Sequence, residues 1–450
     1  MRKTGDAFGS NKVSRRDFGR SIAGLGITGA VANAIPSLAN PESVAIREGK
    51  QNPSSNRNSN RECDVLIKGG TVIDPSQQMH AVLDVAVKDG KILEVSQDFP
   101  EARARTVVWA KDKIVTPGFL DIYAHVFVGG TRNSVNADLN CLVKGVTTVV
   151  DTSTGWPMID GLRKYVIDTS TTRVYALLEI GMLGDVSNYR VMENLAWVNP
   201  ELTSKAAREN KPAVVGISVY LGDSQEGTKD LELECLKRTA QAAEDSDLPM
   251  MVRYHDLLSP LPAILNMMRR GDVLTHIYNR EKVGILDANG KILPEVREAR
   301  QRGVLFDVGH GLVHFVYDYV EKCLQQDFLP DTISTTLVAP HPYKHYEVST
   351  DLPTIVSEFL ALGLDLDKAI AMVTAKPAKV FNYGVELGTL RTGSEADISV
   401  FEIREGQFTF VDYTGDTRAG RQRLFPVAAM RSGRLFEAIE QFYPGHPRGT

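Results

Sequence analysis

The chain has 450 residues, of which 43% are hydrophobic, and a formal net charge of −5. This length suits one large domain with a smaller companion, and the scattered Lys and Arg residues do not form the basic footprint of a nucleic-acid-binding protein. The four cysteines lie far apart without a CxxC pair. That spacing argues against a disulfide scaffold or a cysteine zinc site and predicts buried free thiols.

The first 39 residues are typical of a bacterial twin-arginine export signal. A polar, basic start leads to Arg15 and Arg16, and a weakly apolar, glycine-rich run follows from residue 21 to 34. This run is shorter than the ~20 residues of a membrane-spanning helix, and small-residue cleavage motifs follow it. We therefore expect a periplasmic or secreted protein whose mature chain has no membrane span. A disordered basic tail is the alternative.

The next segments predict a linker and a β-domain built from two parts of the chain. Residues 40–62 are polar and predict a disordered linker. Residues 63–115 contain strand patterns with a hairpin turn at Asp89-Gly90, and residues 385–440 repeat the same strand patterns. We expect these two segments to form one small composite β-sandwich domain.

Between them, residues 116–384 alternate short apolar strands with helical stretches. Continuous apolar strands separated by helices predict parallel β/α units, and eight of them match the size of a TIM barrel. An open doubly wound sheet is the rival, but no GxGxxG motif follows the first strand. The fold class is therefore predicted as α/β, a (β/α)8 barrel. The eight predicted strands are 119–125, 146–150, 173–179, 214–219, 250–254, 273–276, 305–308 and 333–337.

Several motifs of this region resemble the amidohydrolase superfamily. Residues 116–121 (TPGFLD) and 145–151 (GVTTVVD) are similar to its first two barrel strands, and 374–378 (TAKPA) to its last helix. Residues 303–311 (GVLFDVGHG) and 274–276 (LTH) resemble the branch that contains dihydroorotases and acyl-amino-acid or ester deacetylases. The resemblance covers residues 64–435. It implies a metal-dependent hydrolase of amide (C–N) or ester bonds.

The resemblance also implies a metal site at the C-terminal ends of the barrel strands. Family members usually carry His-x-His on strand one, a carboxylated Lys on strand four, His on strands five and six, and a general-base Asp on strand eight. In this chain the six positions hold Tyr123, His125, Ser218, Arg253, His276 and Thr336. Only the two histidines are retained, so both anionic ligands and the general base are missing.

The arginine weighs further against the ordinary metal centre. Arginine stays protonated, and two unit charges 4 Å apart cost ~4 kcal/mol at an effective dielectric constant of 20, so a guanidinium beside a dication costs roughly twice that. The sequence predicts that the binuclear site is largely lost. A buried Arg253 needs an anionic partner, and one candidate is an internal acid such as Asp121 or Asp256. The other candidate is a carboxylate or phosphate of a ligand.

A mononuclear zinc site stays open as an alternative. His255 follows Arg253 by two residues on the same strand face, so His125, His276 and His255 offer three imidazoles. The competing interpretation has the two barrel histidines hydrogen-bonded to neighbours and His255 in a loop. No cofactor is certain, and one Zn²⁺ is the candidate.

The remaining pocket positions predict a site for a small ligand. We expect Tyr123, Ser218, Arg253, His310 and Thr336 to contact it, whereas His341 and His345 are expected in a solvated loop. Two functions follow: a hydrolase that uses one metal ion or none, or a catalytically inactive barrel. The inactive barrel would bind a small anionic molecule or a periplasmic partner.

The export signal yields a direct test. Because the twin-arginine pathway reads the paired arginines, replacing Arg15 and Arg16 together by Lys should trap the precursor in the cytoplasm. Cell fractionation and immunoblotting measure the distribution. Export of the double-Lys variant at the level of the unaltered chain would contradict the twin-arginine interpretation.

Overall fold

The computed structural model describes residues 46–48, 61–131, 133–187, 194–222, 228–279, 283–339 and 350–438. All of them belong to the compact unit Val44–Thr450. The predicted export signal lies outside the described residues. The predicted linker is wrong at one point, because Ile46–Glu48 forms a strand that pairs antiparallel with residues 106–108.

The elements are numbered here in chain order. The β-strands are β1 (Ile46–Glu48), β2 (Cys63–Asp74), β3 (Met79–Lys88), β4 (Lys91–Ser96), β5 (Ala104–Trp109), β6 (Ile114–Pro117), β7 (Phe119–Ala124), β8 (Val146–Asp151), β9 (Arg173–Glu179), β10 (Val214–Leu221), β11 (Met250–Tyr254), β12 (Val273–Leu274), β13 (Leu305–Phe306), β14 (Ile398–Val411), β15 (Thr417–Arg431) and β16 (Arg434–Glu437). The α-helices are α1 (Ala137–Asn140), α2 (Ile159–Leu162), α3 (Pro200–Glu209), α4 (Lys229–Ser246), α5 (Leu261–Asn266), α6 (Pro294–Arg302), α7 (Tyr317–Leu324), α8 (Leu352–Ala361) and α9 (Leu366–Val373).

The first sheet joins the two ends of the folded chain, as the sequence predicts. Its strand order is β1-β5-β2-β6-β14-β15-β16, and β3 and β4 extend it from β2. The junction is the antiparallel pair of β6 and β14. The hairpin between β3 and β4 turns at Asp89 and Gly90, both with positive φ, as the predicted two-residue turn requires.

The second sheet is the barrel. Seven parallel strands run in the order β7-β8-β9-β10-β11-β12-β13, and residues 332–337 close the ring. Thr332 bridges to Asp307 beside β13, and Leu337 bridges to Ala124 at the end of β7. The protein is therefore an α/β TIM barrel with a separate sheet domain. The first five barrel strands match the predicted segments closely, whereas β12 and β13 end two residues earlier than predicted. The last segment, 333–337, is held by single bridges and not by a regular ladder.

Two buried carboxylates explain how this irregular eighth strand is held. Asp121 of β7 accepts bonds from both the backbone N–H and the hydroxyl of Thr335. On the other side, Asp307 accepts the hydroxyls of Thr332 (2.7 Å) and Ser334 (2.6 Å). These side-chain bonds add to the backbone bonds that the N–H groups of Val308, His310 and Gly311 donate to the carbonyls of residues 332, 334 and 335.

The hairpin of β14 and β15 is longer than the sequence predicts. The predicted strand ends at residue 401, whereas β14 continues to Val411 and β15 returns along it. The extension packs on the barrel helices: the backbone N–H of Leu424 donates to the Ser357 hydroxyl of α8 at 2.9 Å. At the tip, Asp412 accepts the N–H of Tyr317, the first residue of α7. Polar residues in this segment interrupt the alternation of apolar and polar residues, so the pattern does not predict the longer strands.

The two closure carboxylates predict a pH dependence of stability. Burial raises the pKa of Asp121 to about 7 and that of Asp307 to about 6, from a usual value of 3.8. The folded state then holds more protons than the unfolded chain between pH 4 and 7, so this contribution to stability is present at low pH and is lost as the pH rises through 6 to 7.

We therefore expect Asp121→Asn to gain stability relative to the unaltered protein as the pH rises from 5 to 8, by on the order of 2 kcal/mol. Urea unfolding at both pH values measures the difference. Asp168→Asn, at an exposed position, is the control and should leave the pH profile unchanged. Parallel profiles for Asp121→Asn and the unaltered protein would contradict the assignment.

Candidate functional site

Charged and polar side chains converge at the C-terminal ends of the barrel strands. Glu179 is the last residue of β9, His125 follows β7, and Arg253 lies near the end of β11. Each of the three side chains is 2% exposed or less. A TIM barrel places its active site at this end of the strands, so this cluster is the candidate site.

A buried ion pair occupies the centre of the cluster. An Nη2–H of Arg253 donates to Oε2 of Glu179, and the same oxygen accepts the hydroxyl of Ser218 at 3.2 Å. Ser218 and Glu179 are register neighbours on β10 and β9. Asp185 is a second acid, with Oδ1 3.9 Å from Nη1 of Arg253. The prediction of an internal acid is thus confirmed in kind, but the acids are Glu179 and Asp185.

Asp121 and Asp256 were the wrong choices for physical reasons. Asp121 lies within the barrel wall, where Thr335 and the backbone of Tyr123 use its oxygens. Asp256 is half-buried in the loop beyond β11, in a left-handed backbone conformation. Closeness along the chain did not indicate which carboxylate faces the guanidinium.

A chain of hydrogen bonds links the ion pair to the far side of the barrel. Nη1 of Arg253 donates to the Tyr123 hydroxyl at 3.3 Å, and this hydroxyl lies 3.3 Å from Nε2 of His276. Nδ1 of His276 lies 2.7 Å from the carbonyl oxygen of Gly309. Since a carbonyl only accepts, Nδ1 carries the proton and Nε2 accepts from Tyr123. A Cβ at residue 309 would lie 2.2 Å from the Thr275 hydroxyl, which explains the glycine.

His125 is paired separately. Its Nδ1 lies 2.8 Å from Oδ2 of Asp185, an ion-pair contact and not a well-aligned hydrogen bond. Within the described residues its Nε2 has no hydrogen-bond partner. The two acids of the site thus have different partners, Asp185 beside His125 and Glu179 beside Arg253.

Burial and pairing set the ionisation of these groups. Burial raises the pKa of Glu179 to about 6, although the charge of Arg253 opposes the shift. Burial acts in the same direction on Asp185, yet the contacts with His125 and Arg253 bring its pKa below the usual value. Burial lowers the pKa of His276 to about 3, so its ring is neutral. Near neutral pH, Glu179 balances the charge of Arg253.

The other predicted histidines lie around this chain. His255 is half-buried, and its ring centroid lies 5.2 Å from that of His314. His314 stacks on His276, with 3.8 Å between their centroids. His310 points elsewhere: Nε2 lies 2.9 Å from Glu358 of α8, and the ring stacks on Phe315. His341 and His345 lie outside the described residues.

The arrangement does not fit the metal centre of the family. In the described part of the chain, no three His, Cys, Asp or Glu side chains converge in a way that could hold a metal ion. Tyr123 engages Nε2 of His276, and Arg253 brings a buried positive charge to the strand-five position. The guanidinium of Arg253 would repel two dications, and the nearby carboxylate of Glu179 is already paired with Arg253. We derive no catalytic step through a metal ion.

The backbone is strained at two of the predicted positions. His276 has a φ of 64° and Thr336 a φ of 49°. A left-handed conformation is a genuine outlier for a β-branched residue and occurs most often at functional sites. The Thr336 hydroxyl is buried and has no partner among the described residues.

Sequence reasoning missed Glu179, Asp185 and His314. Glu179 carried a usable signal, since it is the one charged residue at the C-terminal end of an apolar predicted strand, where barrel active sites lie. Asp185 and His314 lie in loops whose paths the sequence does not reveal. Only the folded loop brings Asp185 to His125.

Comparisons with known proteins agree with this fold. Residues 351–421 match the model of the amidohydrolase family. A deacetylase from Enterococcus faecalis is 29% identical over 83% of this chain and 99% of its own length. The solved structure of an adenine deaminase is 28% identical, with a TM-score of 0.76 over 84% of this chain and all of the other. The chain therefore contains a segment of the amidohydrolase family, and its relatives and structural neighbours lie in the amidohydrolase superfamily. A dihydroorotase from Aquifex aeolicus, 24% identical over 75% of this chain and 89% of its own, is a further relative.

The predicted resemblance to the amidohydrolase superfamily and the predicted fold class are therefore confirmed. The deacetylase relatives indicate a hydrolase. The matches to the Enterococcus faecalis deacetylase and to the adenine deaminase structure cover 83% and 84% of this chain, which is more than the barrel alone. Among the described residues, no helix is long and apolar enough to cross a membrane.

The buried ion pair predicts a large stability effect. Removing Arg253 leaves the Glu179 carboxylate buried without its cation, so Arg253→Met should lower the free energy of unfolding by about 3–5 kcal/mol. The double variant Arg253→Met with Glu179→Leu should lose less than the sum of the single variants. Urea unfolding of the four proteins gives the coupling energy.

Arg418→Met is the matched control, because Arg418 pairs with Glu321 near the surface and such pairs contribute only about 0–1 kcal/mol. Additive effects at residues 179 and 253 would show that the pair does not hold the site together.

Proposed function

We propose that this chain is an exported hydrolase that cleaves an amide or ester bond of a small molecule without the binuclear metal centre of its superfamily. The observation that carries the proposal is the buried pair of Arg253 and Glu179. It lies where the family resemblance expects metal ligands, and it supplies a fixed cation and a fixed carboxylate in their place.

The chemistry of hydrolysis needs two functions at this position. A base must remove a proton from water, and donors must stabilise the negative charge that develops on the carbonyl oxygen. Arg253 is a hydrogen-bond donor, and its Nε–H has no partner among the described residues. A guanidinium held by Glu179 on one side offers its other N–H to an oxyanion.

The relatives suggest the class of substrate. The Enterococcus faecalis relative is a deacetylase. Compounds that carry an acetyl group on nitrogen or oxygen are therefore the first substrates to test. The paired arginines of the N-terminal segment support export to the periplasm or beyond. The substrate would then be a small acetylated compound outside the cytoplasm.

The second candidate is a catalytically inactive barrel that binds a small ligand or a periplasmic partner. The same ion pair favours it, because a buried arginine whose charge is balanced by a carboxylate also serves a purely structural purpose. An anionic ligand has less support than the sequence suggested, since Glu179 already balances the charge of Arg253. The two candidates differ in turnover.

Metal content and turnover together test the proposal. Protein purified without added metal should contain well under one equivalent of Zn, Mn or Fe by elemental analysis. It should hydrolyse at least one member of a panel of N-acetyl amino acids and acetyl esters, with p-nitrophenyl acetate as reporter, and EDTA treatment should leave the rate unchanged.

Each other outcome is informative. Two tightly bound ions, or loss of activity in EDTA that Zn²⁺ restores, would overturn the metal-free assignment. If no panel member is turned over, and N-acetyl amino acids nevertheless raise the melting temperature, the inactive barrel is the better description.

A further inference from the structure

We propose that Glu179 is the general base of this site, accepting a proton from the attacking water through its Oε1 atom. The proposal rests on the hydrolase function proposed above. The family's general base is an Asp on strand eight, and this chain carries Thr336 at that position. The structure offers Glu179 on strand three instead.

The two oxygens of Glu179 have different surroundings. Oε2 is held by Arg253 and by the Ser218 hydroxyl. Oε1 is buried and has no hydrogen-bond partner among the described residues. A buried carboxylate oxygen without a donor is costly, so its presence points to a donor that the folded chain does not itself provide. A water molecule between enzyme and substrate is such a donor.

The neighbouring carboxylates are less suited to this function. Asp151, the last residue of β8, accepts bonds from the backbone of Val126 and Ser153 and from two hydroxyls. The oxygens of Asp307 are used by Thr275, Thr332 and Ser334. Oδ2 of Asp185 also has no hydrogen-bond partner among the described residues, but it lies 2.8 Å from Nδ1 of His125. Among these acids, Glu179 combines a fixed orientation with an oxygen left unbonded.

The reaction step balances without a further reactant. Glu179 takes one proton from water while the water oxygen bonds to the carbonyl carbon, and the carbonyl π electrons move to its oxygen. When this oxyanion collapses, the bond from carbon to the leaving nitrogen or oxygen breaks. The proton on Glu179 passes to the leaving group, which restores the carboxylate.

The electrostatic surroundings match a base that works near neutral pH. The groups that face Glu179 are Arg253 on β11, Asp185 beyond β9 and, on α4, Cys235. Burial raises the pKa of Glu179 to about 6, with Asp185 adding to the effect and Arg253 opposing it. A base must be ionised, so the rate should fall as the pH drops through about 6.

Arg253 and Ser218 act as positioning residues in this scheme. They fix Oε2 and thereby aim Oε1. Loss of the Ser218 hydroxyl should lower kcat modestly and leave KM near its original value, because the hydroxyl orients the base without binding substrate.

The decisive comparison is Glu179→Gln against Glu395→Gln. Glu395 lies in the sheet domain, and its Oε2 is likewise bonded to an arginine (Arg173) and a serine (Ser432), so the control removes the same kind of carboxylate from outside the site. With p-nitrophenyl acetate and the N-acetyl amino acids, Glu179→Gln should lower kcat at least 100-fold and abolish the acidic limb of the pH profile. Glu395→Gln should retain both the rate and the limb.

Rescue separates catalysis from structure. Glu179→Ala should regain activity when formate is added, because the small carboxylate can supply the missing base, and the same formate should not affect Glu395→Gln. If circular dichroism shows either variant of Glu179 unfolded, Glu179→Asp, which keeps the charge but withdraws the oxygen, should fold and lower kcat with little change in KM.

The failures are distinguishable. If the unaltered protein hydrolyses none of the probes, the proposed hydrolase function is wrong. If the unaltered protein is active and the Glu179→Gln variant keeps both its rate and the acidic limb of its pH profile, only the assignment of Glu179 as the base is wrong. A folded, inactive Glu179→Ala that formate does not rescue also counts against a base and indicates a purely structural carboxylate.

Discussion

The ion pair between Arg253 and Glu179 is the interaction on which the rest of the site depends. It brings one unit of each charge to the centre of the barrel mouth, so the pair can be buried without a ligand or a metal ion. Ser218 and Tyr123 bond to its two ends, and through Tyr123 it reaches His276 and Gly309. Ser218 is oriented as a donor to Glu179, and Tyr123 as an acceptor from Arg253.

The pair also connects two kinds of constraint, the barrel's geometry and the chemistry of its mouth. Parallel β/α units bring the ends of strands three, four and five together whatever residues they carry. In most of the superfamily those ends converge on metal ions. Here a carboxylate on strand three and a guanidinium on strand five satisfy one another. The barrel fold is the one that the resemblance predicts, and in this chain a cation and its counter-ion lie at the C-terminal ends of its strands.

Much of this could be predicted from the sequence, and the reasons are local. Apolar runs such as 173–179 and 250–254 fill buried parallel strands, so their bounds match β9 and β11. Asp89-Gly90 specifies its hairpin because both residues tolerate positive φ. The substitutions at Tyr123, Ser218, Arg253 and Thr336 could be read by position alone. The extension of β14 could not be predicted, because exposed polar residues interrupt the alternation of apolar and polar residues in this strand.

The sequence by itself determined the barrel, the composite sheet domain and the arrival of an arginine where a histidine is expected, since these depend on residue type and order along the chain. Only the tertiary structure decided which acid meets that arginine. Glu179 and Asp185 are 74 and 68 residues away from it along the chain, and carboxylates much closer in sequence point elsewhere. Partner choice depends on where strand ends and loops meet in space, because electrostatic pairing acts over a few ångströms and takes no account of sequence separation.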